Sequence, residues 1–260
     1  MLFATPARRF AIVMRQLIAR IAPRFVRDAY RARRLRKLAA ARAVIPASAV
    51  FSEIYSKGIW GTHNDDYGSP FCSGPGTMSA NAQAYVDFLP RFIDEYDIHS
   101  LVDVGCGDFR IMKQVLERRP DVEFTGIDVV PELIEYNQQR FGARNVRFLC
   151  IDAATANALP VADLITIRQV LQHLSNQQIT HILSLLRTYK YALVSEHLPV
   201  TGTIRHNLDK PHGASIRMDW DSGVFIDKRP FTLPATPVLE YREDHNGRLA
   251  VIRTSLVANR

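Results

Sequence analysis

The sequence predicts an α/β fold: a mostly parallel seven-stranded sheet, closed by a C-terminal antiparallel hairpin and preceded by a helical arm. Three observations carry that expectation. Apolar strand patterns at 100–104, 123–127, 146–150, 162–167 and 189–195 alternate with helical patterns at 109–118, 131–141 and 176–187, an order that calls for parallel strands joined by crossover helices. Two further strand patterns, Val238 to Arg242 and Leu249 to Leu256, flank Asn246-Gly247, a dipeptide suited to a tight hairpin turn. The first strand runs into Gly105-Cys106-Gly107 and the second ends on Asp128, which places a tight turn and an acid at neighbouring strand tips.

The chain opens with a basic arm, residues 1–46. Twelve Arg or Lys between positions 8 and 42 face one acid, Asp28, so the overall charge of +7 belongs to this arm and the rest of the chain is mildly acidic. Phe10, Val13, Met14, Leu17, Ile18 and Ile21 follow helical spacing and form one apolar face, which Pro23 ends. A second arginine-rich helical stretch runs from about Arg24 to Val44. Three readings of the arm stand side by side: a basic amphipathic anchor on an anionic membrane surface, an organelle presequence, and a helix packed on the domain or a partner. No apolar run reaches the roughly 18 residues that span a bilayer. The expected location is cytoplasmic, with peripheral attachment to the inner face of the membrane if the anchor reading holds.

Residues 47–260 form the expected main domain, with 47–98 as a cap segment and leading helix. Ile45 to Ser48, containing Pro46, reads as a linker. From Phe51 to Thr77 the chain is rich in glycine, proline and aromatics, with Trp60 as a candidate wall of the site and the turn around Gly74 as a candidate contact. The helix from about Ala80 to Tyr96 presents Ala84, Phe88 and Phe92 on one side for packing on the sheet. Three cysteines, Cys72, Cys106 and Cys150, at wide spacing fit neither a disulfide framework nor a zinc site, and the spacing of His197, His206 and His212 is no usual zinc signature either. No metal is expected.

The glycine turn selects among nucleoside ligands. A dinucleotide fingerprint would place a third glycine at 110, where this chain has Arg110 after Asp108 and Phe109. That turn suits a pyrophosphate poorly and suits a cofactor ending in an amino acid. The series DVGCGDFR at 103–110, GID at 126–128 and FLCIDA at 148–153 resembles the motif series of class I S-adenosyl-L-methionine (SAM)-dependent methyltransferases, over roughly residues 51 to 260. The cap segment is similar to that of bacterial members associated with glycan or polysaccharide assembly. The resemblance implies a Rossmann-like sheet with an inserted seventh strand, and SAM as cofactor. Carried onto this sequence, it implies that Asp103 orders the turn and the methionine ammonium, and that Gly105, Cys106 and Gly107 cradle the cofactor. Asp128 and Val129 then meet the ribose, and Asp152 and Ala153 lie near the adenine. Arg168, with Gln169, touches cofactor or acceptor.

Catalysis of methyl transfer mainly needs alignment and management of the acceptor's proton. His173 is a candidate general base, with the alternative that it organises its own loop. Glu196, His197 and Asp219 are further base candidates, in or near a polar loop running to about Phe231 that reads as the acceptor side. The expected acceptor is a hydroxyl of a glycan, glycolipid or other small polar molecule. An NAD-dependent oxidoreductase is disfavoured by the missing third glycine and the lack of a Tyr-x-x-x-Lys pair. A nucleic-acid methyltransferase gripping phosphate through the arm is disfavoured by the acidic main domain. The remaining alternative is a non-catalytic SAM-binding scaffold.

Overall fold

A computed structural model describes residues 45–62, 67–245 and 247–259. The arm expected over 1–46 lies outside the described residues apart from its last two, as does Asn246 of the hairpin turn.

The first helix, α1 (Ala47–Ser56), starts directly after Pro46 and buries Ala47, Val50, Phe51 and Ile54 at helical spacing. The stretch expected to be a linker therefore passes into a helix, since one apolar face is enough to anchor it to the core. A 3₁₀ turn (Pro75–Thr77) leads into α2 (Ser79–Glu95). The alternating region follows as β1 (Ser100–Val104), α3 (Arg110–Arg118), β2 (Glu123–Asp128), α4 (Pro131–Phe141) and β3 (Val146–Cys150). After β4 (Leu164–Arg168) come a 3₁₀ turn (Leu171–His173), α5 (Asn176–Leu185) and β5 (Tyr191–Pro199). A capping box starts α5: the Ser175 hydroxyl accepts the Gln178 N–H, and the Gln178 side chain accepts the Ser175 N–H. Two short strands, β6 (Arg205–His206) and β7 (Ser222–Gly223), pair apart from the main sheet. β8 (Thr236–His245) and β9 (Arg248–Ala258) form the C-terminal hairpin, longer than the sequence pattern suggested, with Gly247 at φ +76° in its turn.

The seven-stranded sheet has the order β3-β2-β1-β4-β5-β9-β8, with β9 inserted antiparallel between β5 and β8. The mostly parallel seven-stranded sheet with a C-terminal antiparallel hairpin, expected from the sequence, is thus the one observed. Two apolar layers cover the faces. One packs Val102, Val104, Ile165 and Ile167 against α1, α5 and Leu133 of α4; the other packs Leu101, Phe124 and Leu164 against α2 and α3. The order of strands reverses between β1 and β4, which are parallel neighbours: β2 and β3 extend to one side and β5 to the other, so a crevice opens at their C-terminal ends. Among the described residues no helix is long and apolar enough to cross a membrane.

Candidate active site

The crevice is a cavity of about 1120 Å³, part of it open to solvent. Its floor is the turn after β1. Gly105 (φ +67°) and Gly107 (φ +55°) are left-handed, and a Cβ on Gly105 would lie 2.4 Å from Val170 Cγ2. Only glycine fits there without strain. The turn is pinned to β2: the Gly105 and Cys106 N–H groups donate to the Ile127 carbonyl at 2.8 and 3.0 Å. It is also pinned to the cap, where the Asp108 N–H donates to Ser73 Oγ (2.8 Å) and Ser73 N–H donates to the Asp108 carboxylate (3.3 Å). Phe109, at φ +63°, turns into the core against Phe124 and Phe148.

Asp128 at the tip of β2 accepts N–H bonds from Gly107 (3.2 Å), Val129 (2.7 Å) and Val130 (3.2 Å), and burial raises its pKa from the ordinary value although those bonds oppose the shift. Asp103 is buried beneath the turn; burial pushes its pKa up to about 7 although the Thr166 hydroxyl donates to it at 2.6 Å. Asp152 accepts the Ala154 N–H at 2.9 Å, a turn-capping bond, and also lines the cavity with Ala153 and Val129. The structure therefore brings Asp103, Gly105, Cys106, Gly107, Asp128, Val129, Asp152, Ala153 and Arg168 to one cavity.

The cap completes the wall. Trp60 lines the cavity, lies 4.9 Å from the His173 ring between centroids, and donates its indole N–H to the Ala214 carbonyl at 3.4 Å. Gly74 does not line the cavity. Buried at φ +89°, it turns the chain, so that Ser73, Gly76 and Thr77 face inward instead.

The base candidates separate. His173 lines the cavity, but its Nδ1 donates to the Gly213 carbonyl (3.2 Å), and burial with the nearby Lys210 charge holds its pKa down to about 3. Glu196, His197 and Asp219 are not among the cavity-lining residues. The Glu196 carboxylate lies under the turn after β4, accepting the N–H of Leu171 (2.9 Å) and Gln172 (3.1 Å); burial pushes its pKa up to about 8. His197 takes the other face of β5, as strand pleating requires, its ring 5.4 Å from that of His245. Asp219 is exposed, and His245 Nε2 lies 3.4 Å from its Oδ1.

The loop expected to form the acceptor side instead braces the cavity from behind. Arg217, 1% exposed, donates to the carbonyls of Leu171, Gln172, Leu174 and Leu208 and to Asn176 Oδ1. Sequence reasoning placed Arg217 in a polar ligand loop; nothing local marks it as a buried clamp. Tyr241 of β8, whose hydroxyl reaches Arg168 Nη2 at 3.3 Å, was also missed, since it comes to the site only through the strand order.

Comparison with known proteins agrees with this geometry. Residues 102–193 match a family model described as a methyltransferase domain. The chain is 39% identical over 91 residues to a malonyl-[acyl-carrier protein] O-methyltransferase of Acetivibrio thermocellus, spanning 33% of this chain and 32% of that protein. The enzyme of the same name from Anoxybacillus flavithermus is 30% identical over 76 residues, 29% of each chain. The chain thus spans about a third of the length of these relatives. Its fold is similar to that of the N-methyltransferase NodS from Bradyrhizobium japonicum in complex with S-adenosylhomocysteine (TM-score 0.55, 13% identity, 80% of this chain and 98% of that one). It is also similar to the 1,6-didemethyltoxoflavin-N1-methyltransferase of Burkholderia thailandensis (TM-score 0.54, 16% identity, 85% and 91%).

Residues 102–193 at the centre of the chain are thus similar to a methyltransferase domain. The chain shares its fold with these two methyltransferase structures, and its glycine turn and strand-tip acids fit SAM as the cofactor.

Proposed function

We propose that the chain is a SAM-dependent O-methyltransferase acting on a small acidic acceptor. The observation that carries the cofactor reading is the glycine turn facing Asp128 in a cavity at the sheet's reversal point. Asp128 would take the ribose hydroxyls, Asp152 and Ala153 the adenine, and Asp103 the methionine ammonium, with Trp60 as a wall. When bound, SAM supplies a methyl on a sulfonium, which an acceptor oxygen takes as the carbon–sulfur electron pair stays with sulfur.

The protein's own contribution is to hold an acceptor oxygen in line with that methyl. A hydroxyl must also lose its proton, and this is where the cavity favours one acceptor class. Of the four base candidates only His173 reaches it, and that ring is held by Gly213 and Trp60. A carboxylate is ionised near pH 7 and needs no base. The relatives' name, malonyl-[acyl-carrier protein] O-methyltransferase, supports the same class. A glycan hydroxyl is the second reading, favoured by the cap's resemblance to enzymes of glycan assembly.

The test is transfer of labelled methyl from SAM to malonyl-pantetheine and to neutral sugars. Transfer to the malonyl compound supports the proposal; transfer to the sugars alone transfers support to the second reading. For residues 1–45 the membrane-anchor reading is retained, resting on their basic composition. Liposome co-sedimentation of the full chain against one starting at Ala47 tests it, and equal pelleting would refute it.

A further inference from the structure

Arg168 ends β4 and is the one Arg or Lys among the described residues that line the cavity. Three separate elements hold it. Its Nη2 donates to the Gly76 carbonyl of the cap turn (2.9 Å) and to the Tyr241 hydroxyl of β8 (3.3 Å), and its Cζ lies 5.4 Å from the centre of the Tyr85 ring of α2. A long flexible side chain is thereby fixed in advance. All three partners are neutral. Arg168 makes no ion pair with a described residue, and its Nε is buried without a hydrogen-bond partner. Two carboxyls lie within electrostatic range: Asp103, which accepts the Thr166 hydroxyl, and Glu243, which is half-buried on the same face of β8 as Tyr241.

A guanidinium fixed by neutral partners in a cavity keeps an unneutralised charge, and its remaining N–H groups suit a carboxylate. We infer that Arg168, braced by Tyr241 and Gly76, binds a carboxylate of the acceptor and so selects acidic acceptors. This rests on the methyltransferase reading. Asp103, Gly105, Asp128 and Asp152, assigned to the cofactor, lie at or just after the tips of β1, β2 and β3, whereas Arg168 ends β4 and is held from the cap and from the C-terminal hairpin.

The experiment uses the full chain and reads binding as well as turnover. SAM affinity is measured by calorimetry for wild type, Arg168→Gln and Tyr241→Phe. With S-adenosylhomocysteine present, each protein is then titrated with malonyl-pantetheine and with acetyl-pantetheine, which differ by one carboxylate. Wild type is expected to bind the malonyl compound at least tenfold tighter; that preference should vanish in Arg168→Gln and weaken in Tyr241→Phe, with SAM affinity changing less than threefold. Equal binding of the two thioesters by wild type, or no binding of the malonyl compound, overturns the inference. A tenfold or larger loss of SAM affinity in Arg168→Gln also overturns it, because the guanidinium would then hold the cofactor's own carboxylate. Tyr241→Phe keeps the test available should Arg168→Gln fail to fold. Failure of wild type to bind SAM is a different outcome, which removes the methyltransferase reading itself.

Discussion

Glu196 and Arg217 grip the same turn from opposite sides. The carboxylate accepts the N–H of Leu171 and Gln172, and the guanidinium donates to the carbonyls of Leu171, Gln172 and Leu174. Two buried side chains thus satisfy the backbone groups of a single 3₁₀ turn, and that turn presents Val170, Gln172, His173 and Leu174 to the cavity. The arrangement converts a loop into a rigid wall. Replacing Arg217 with Ala would remove a donor from four carbonyls and from Asn176 Oδ1, a loss expected at about 3–5 kcal/mol. Urea denaturation measures it; a loss below about 1 kcal/mol would show that the clamp carries little.

Substituting Gly105 with Ala should cost about 1–3 kcal/mol in stability, the usual toll of a strained backbone conformation, and should weaken SAM binding as well. The left-handed φ and the 2.4 Å approach to Val170 are separate contributions. Adding Val170→Ala should therefore recover part of the stability, by thermal denaturation, but not all of it.

His173→Asn separates base catalysis from scaffolding. Removing a true general base lowers the rate by about 10²–10⁴-fold. If the ring organises its loop through Gly213 and Trp60, kcat on an acidic acceptor should fall by less than about tenfold, and the rate should not follow a group titrating near neutrality.

His197 gives a pH dependence of known sign. Burial, with His245 close by, lowers its pKa from 6.5 to about 4. Between those values the unfolded chain binds a proton that the folded protein does not, so acidification favours unfolding. This stability is complete above pH 6.5 and is lost as pH falls toward 4. One such group contributes a slope of at most about 1.4 kcal/mol per pH unit. Chemical denaturation of His197→Asn between these pH values should show a shallower loss than wild type.

The strand tips were legible because their signals are local. Gly105, Gly107 and Asp128 lie where an apolar strand meets a turn, and backbone conformation alone demands glycine at the first two. The parallel sheet and its terminal hairpin followed from alternation and one hairpin dipeptide, whereas the strand order did not. Roles at the end of β5 were not legible. Glu196 and His197 are adjacent in sequence, but pleating sends them to opposite faces, and neither face at that point is the cavity. Arg217 and Tyr241 acquire their roles through partners more than 40 residues away, at separations of 43 for Leu174 and 73 for Arg168. The cap illustrates the same limit on a smaller scale: a glycine-rich turn was recognised, but which glycine faces inward depends on Gly74 being the residue that bends.

Calorimetric titration of the chain with SAM, for wild type and Asp128→Asn, addresses the central claim most directly. Asp128 is assigned to the ribose hydroxyls, and the amide keeps its size while removing the charge that strengthens such bonds. A one-to-one isotherm for wild type, weakened about 100-fold in Asp128→Asn, or about 2.7 kcal/mol, is the expected result. No heat with wild type, or equal affinity for the two proteins, would contradict it.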